Sequence, residues 1–112
     1  MYLTESDGVD LLRRIVAHCG TGELQFDAFN ALGIRSQWSN AVVRRSGATL
    51  RWAINGPDEV LGAVPGTRLL AWVSPFDAEA FDLVRPAYRL LAELMSRVPA
   101  LRYMAQYHRY AF

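Results

Sequence analysis

Polar and apolar residues alternate most clearly in the middle of the chain. In Thr49–Ile54, Leu50, Trp52 and Ile54 share one side, and Thr49, Arg51 and Ala53 share the other. That period of two predicts a half-buried strand. Arg68–Ser74 predicts a second strand. Leu70 and Trp72 lie on one side, with Leu69, Ala71 and Val73 on the other, so both faces should be covered. Asn55-Gly56-Pro57-Asp58 and Pro65-Gly66 read as turns, with Val60–Val64 as a short strand between them. The product is a hairpin or meander whose Trp52 and Trp72 anchor the flanking helices.

The flanks follow a helical period. Thr4-Glu5-Ser6-Asp7 is a helix start, and Leu12, Ile15, Val16 and Cys19 make one apolar face before Gly20 and Gly22. A second helix is expected over about Glu23 to Leu32, with Leu24, Ala28, Ala31 and Leu32 aligned and Gly33 as its stop. Ser36–Ser46 fits either period. The β-branched Val42-Val43 and the turn dipeptide Ser46-Gly47 favour a strand.

Ser74-Pro75-Phe76-Asp77 opens a C-terminal helix, on which Phe81, Val84, Tyr88, Leu91 and Met95 recur. Pro86 should kink it near Arg85, and Pro99 should break it again before a last helix from Ala100 to Tyr110. The fold class is therefore α+β. Two N-terminal helices, a small antiparallel sheet of three or four strands and Pro-kinked C-terminal helices packed on that sheet are expected. Residues 1–112 form one domain, a size that supports a core.

Composition narrows the class little. A net charge of +1 gives no bulk attraction to nucleic acid or anionic membrane. All twelve basic residues are arginine, and fifteen alanines accompany them, which reads as a GC-rich bacterial or phage genome. One cysteine excludes an internal disulfide and suits a reducing cytoplasm. The sequence predicts neither a signal peptide nor a membrane span. No metal site or cofactor is implied.

The last helix is the first candidate for a working surface. Arg102, Gln106 and Arg109 fall on one face, and Tyr103, Tyr107 and Tyr110 on another. Tyr and Arg pair a large body with a directional polar tip, the chemistry of binding hot spots. This predicts a non-catalytic protein-binding module, such as an adaptor, inhibitor or regulator, with a protein partner or a second copy. The alternative lies in Ala28–Arg45, where Leu32-Gly33-Ile34 resembles the turn of a helix-turn-helix motif. That resemblance implies base contacts from Ser36, Gln37 and Asn40, phosphate contacts from Arg35, Arg44 and Arg45, and the hairpin as a wing. A small enzyme built on Cys19 and His108 is the third reading. It requires the fold to bring the two together, since adjacent His18 and Cys19 diverge on a helix. Acids at Asp58-Glu59 and at Asp77, Glu79 and Asp82 are expected as helix and turn caps.

Overall fold

The computed structural model describes residues 2–77 and 86–112, with the backbone alone at 86–87. It is a mixed α+β fold with a three-stranded antiparallel sheet. Helix α1 (Glu5–Cys19) begins where the sequence places it, with the Asp7 amide donating to Thr4 Oγ1 at 3.2 Å. It ends on Gly20, whose φ of 74° suits a residue without a Cβ.

The expected second helix is instead strand β1 (Glu23–Phe29). Leu24, Phe26 and Ala28 face the core, while Glu23, Gln25 and Asp27 face away, so a period of two outweighs the i, i+4 coincidence of Leu24 and Ala28. Helix α2 (Ala31–Arg35) follows, capped by Asn30, which accepts from the Gly33 amide at 2.9 Å.

Residues 36–46 are helical rather than a strand. A 3-10 turn (Gln37–Ser39) leads to α3 (Ala41–Ser46), and Asn40 Oδ1 accepts from the Val42 amide at 3.0 Å. The cap residue decides what the β-branched pair left open. The Thr49–Ile54 strand is also absent. Leu50 and Ile54 are buried and Trp52 half-buried, as the alternation requires, but the backbone pairs elsewhere. The Leu50 amide donates to the Gln37 side chain at 2.8 Å, and the Ile54 amide to Phe29 O at 2.9 Å. The segment is extended without a ladder, and no hairpin forms.

Pro57–Ala63 is helix α4, not a turn and strand, because Pro57 occupies its first turn with Asp58 and Glu59. Strand β2 (Arg68–Val73) is where it was expected, but at a sheet edge. Phe81, Val84, Glu79, Asp82 and the kink near Arg85 lie outside the described residues. Within the described residues helix α5 is Pro86–Ser96, and α6 is only Pro99–Arg102. The last segment is not a helix. It is β3 (Ala105–Ala111), the central strand of the order β1-β3-β2.

β3 runs antiparallel to both neighbours, so β1 and β2 are parallel to each other. The chain from β1 to β2 is thus a crossover, with β3 inserted between its strands. One face of the sheet carries Leu24, Ala28 and Tyr110, packed against Leu12, Ile15 and Val16 of α1, Val60 of α4 and Val64 at its end. The other face, with Gln25, Asp27, Tyr107 and Arg109, is largely open. No helix of the described residues is long and apolar enough to cross a membrane.

Candidate functional site

Because β3 is a strand, the residues expected on two faces of a helix are divided between two faces of a sheet. Gln106, His108 and Tyr110 point into the core, and Tyr107 and Arg109 point to the open face. Tyr110 is fully buried, and its hydroxyl lies 2.7 Å from His108 Nδ1. Gln106, 1% exposed, donates to Ile54 O and accepts from the Trp72 indole. Both act as core ties, not as contact residues.

Tyr103 stacks on Trp72 with ring centres 4.0 Å apart. Arg102 pairs with Asp77. Arg109 grips Glu23 through two bonds of 2.8 and 3.0 Å, and Tyr107 is 52% exposed on the same face. Around Tyr107 and Arg109 a shallow 430 Å³ depression is lined also by Gln25, Asp27, Ala71 and Val73.

The nucleic-acid set is likewise dispersed into local duties. Ser36 Oγ donates to Leu32 O at 2.8 Å, Gln37 holds the Leu50 backbone and Asn40 caps α3. Arg44 donates to Trp38 O at 3.4 Å, while Arg35 and Arg45 are exposed. The polar side chains assigned to base edges are already bonded, and the wing does not exist.

Cys19 and His108 are not brought together. Cys19 is exposed at the end of α1, and His108 is 2% exposed in the sheet. His108 is stacked 5.3 Å from Phe26, its pKa falls to about 4 through burial, with Glu59 opposing, and its Nε2 has no hydrogen-bond partner among the described residues. Burial also raises the Tyr110 phenol above its ordinary value. Both side chains are buried away from solvent, which is a poor setting for proton exchange with a substrate. Among the described residues no group of three His, Cys, Asp or Glu is placed to hold a metal ion.

Two regions of the fold have the placement of a site. The first is the carboxyl end of β1 and β2, where both strands finish together. Asn30 Nδ2 donates to Ala100 O at 2.8 Å, Ser74 Oγ to Arg102 O at 2.7 Å, and the Ser74 amide to Asp77 at 2.9 Å. Asn55 accepts from the Ala31 amide at 3.0 Å. These bonds tie the loops after β1 and β2 to α6 and to the turn before α4. Asn30 was not singled out in the sequence, and Ser74 only as the start of a helix, where its Oγ accepts from the Phe76 amide at 3.2 Å. Their signal was local: a polar residue directly after an alternating strand, where a crossover chain places its loops. The second region is a 340 Å³ groove between α1 and the outer edge of β1, lined by Leu11, Leu12, Ile15, Trp52 and Gln25 among others.

No protein-family model matches the chain. No solved structure matches it. The chain is 33% identical over 111 residues to the tetracenomycin polyketide synthesis O-methyltransferase TcmP of Streptomyces glaucescens. The match covers 99% of this chain and 41% of that protein, so the chain spans about two-fifths of the relative's length. Similarity to an enzyme along the whole chain overturns the expectation of a non-catalytic module, both as a protein-binding adaptor and as a DNA-binding regulator.

Proposed function

We propose that this chain forms one end of the α/β sheet of an O-methyltransferase, an enzyme that places a methyl group on an oxygen of a polyketide-like acceptor. The observation that carries the reading is the 33% identity to a polyketide O-methyltransferase over 99% of the chain. The topology supports it. Two parallel strands, with α1 before the first and α4 before the second on the same face, are the repeating unit of open α/β enzymes. In such sheets ligands sit outside the carboxyl ends of the strands, which here is the loop cluster around Asn30, Asn55, Ser74 and Arg102.

The described residues do not fit a methyl donor. A nucleotide-bearing donor calls for a glycine-rich turn after a strand. The chain after β1 reads Asn30-Ala31-Leu32, and after β2 Ser74-Pro75-Phe76. The Asn30 and Ser74 side chains are committed to backbone partners. The cradle for the donor belongs to the part of such an enzyme that this chain does not match.

A chimaera tests the reading. This chain replaces the matching segment of the Streptomyces enzyme, and methyl transfer from S-adenosylmethionine to that enzyme's acceptor is measured. The expected kcat/KM lies within about a hundredfold of the parent, a loss below ~3 kcal/mol in transition-state stabilisation. A chimaera that melts cooperatively yet transfers no methyl group removes the reading.

A further inference from the structure

We propose that the lobe between β1 and α4, residues 31–51, docks on an anionic lipid surface. The inference stands on the lobe itself and not on the enzyme reading above. The net charge of +1 conceals an uneven distribution. From Ala28 to Pro57 there is no aspartate or glutamate, and four arginines, Arg35, Arg44, Arg45 and Arg51, lie in that stretch. The other eight arginines are outnumbered by the eleven acids, so the rest of the chain carries a net charge of −3. Association with a charged surface is steered by such a patch rather than by the sum.

The fold gathers these charges around one indole. Arg35 ends α2, two residues before the 3-10 turn that carries Trp38. Arg44 Nη1 donates to Trp38 O at 3.4 Å, and Arg45 follows it on α3. Arg51 follows Leu50, whose backbone is held by the Gln37 side chain through bonds of 2.8 and 3.2 Å. All four arginines are exposed. Trp38 is 73% exposed and Val42 72%. The lobe that presents them is anchored. Val43 is buried, and a Cβ on Gly33 would stand 2.7 Å from Met104 O. The patch is therefore preformed, and binding requires little ordering.

This arrangement suits a bilayer boundary. Trp38 and Val42 enter the acyl boundary, the indole N–H stays at headgroup level, and the guanidinium forks meet phosphates. An acidic protein surface is the weaker occupant. Protein interfaces deplete charge at their centre and set complementary charges opposite one another to fix register. A stretch of thirty residues with four cations and no anion offers only one sign for such pairing. A laterally uniform anionic plane needs no register. The lobe springs from the carboxyl end of β1, the end assigned above to the acceptor, so a docked chain holds that end at the bilayer.

Co-sedimentation of the full chain with vesicles tests this. Vesicles of phosphatidylglycerol and phosphatidylcholine in equal parts should carry the chain down at low salt. Phosphatidylcholine alone should not, and ~0.5 M salt should release the chain. Binding should shift tryptophan emission to the blue. Trp38→Phe should still bind but lose most of that shift, because Trp52 and Trp72 are already half-buried. Arg45→Gln with Arg51→Gln should weaken partitioning about thirtyfold. If that variant fails to fold, the salt series on the unsubstituted chain decides. No partitioning onto the anionic vesicles overturns the proposal. So does equal partitioning onto phosphatidylcholine, or a loss with Leu91→Gln and Leu94→Gln that the arginine variant does not share, since either places the contact on the exposed leucines of α5. Binding to polyglutamate without binding to vesicles assigns the patch to an acidic protein and overturns it too. In the chimaera the partitioning should persist. A chimaera that transfers methyl groups but no longer partitions has its lobe covered, which overturns this proposal and leaves the enzyme reading standing. A folded, inactive chimaera that still partitions does the reverse.

Discussion

His108 shows how the environment of a single residue sets its behaviour. It lies in a stack with Phe26 and Tyr110, is 2% exposed and is held neutral, with its pKa lowered to about 4 by burial. An unfolded histidine titrates near 6.5. Above that pH the imidazole is neutral in both states and titration costs nothing. As pH falls from about 6.5 toward 4, the unfolded chain takes up the proton first, so stability declines. The full loss is roughly 3 kcal/mol, from 2.5 units at ~1.36 kcal/mol each. His108→Phe keeps the stack and deletes the titration. Urea midpoints at pH 7, 5.5 and 4 should fall less for the variant than for the parent. Equal slopes would show that His108 is not the group responsible.

At the level of elements, the alternation of β1 was present in the sequence but was hidden by a coincidence. Leu24, Ala28, Ala31 and Leu32 satisfy a helical period, while Leu24, Phe26 and Ala28 satisfy a strand period. β3 was harder to read, because its inward residues Gln106, His108 and Tyr110 are polar or amphipathic and do not mark a core face. Gln106 is acceptable inside because Ile54 and Trp72 satisfy its amide, and His108 Nδ1 and the Tyr110 hydroxyl bond each other, with His108 Nε2 left without a partner among the described residues.

Helix α1 was legible throughout, except for Gly8. A Cβ there would stand 2.1 and 2.3 Å from the Trp52 ring. In an exposed helix Gly→Ala gains about 1 kcal/mol. Here the displaced indole should cost more, so Gly8→Ala should destabilise by roughly 1–2 kcal/mol net. Denaturation followed by circular dichroism reads the sign, and a stabilised variant would show that Trp52 moves aside freely.

For the whole molecule, the largest run of exposed apolar side chains among the described residues lies on α5. Leu90, Leu91 and Leu94 are 63%, 55% and 52% exposed, and Tyr88 is 63% exposed. Only Ala92 of the described α5 side chains is buried. A helix this apolar on its outer side contributes little to the stability of the chain alone. Leu91→Gln with Leu94→Gln should shift Tm by no more than about 2 °C and reduce the binding of a hydrophobic dye. A large drop in Tm would place those leucines in a core.

The sequence by itself determined helix α1, the strand at Arg68–Val73 and the inward residues of 50–54, because each depends on local period and capping. It also held the caps Thr4 and Asn40 and the Pro57 helix start in plain sight. Tertiary structure alone decided the rest. Whether Thr49–Ile54 joins a ladder depends on partners thirteen and twenty-five residues away, Gln37 and Phe29. Whether the last seven residues of regular structure are helix or strand depends on two separate segments, Glu23–Phe29 and Arg68–Val73, leaving a slot between them. Non-local pairing of that kind leaves no periodic trace in the segment it captures. That is why a face drawn on a helix at Arg102–Tyr110 became two faces of a central strand.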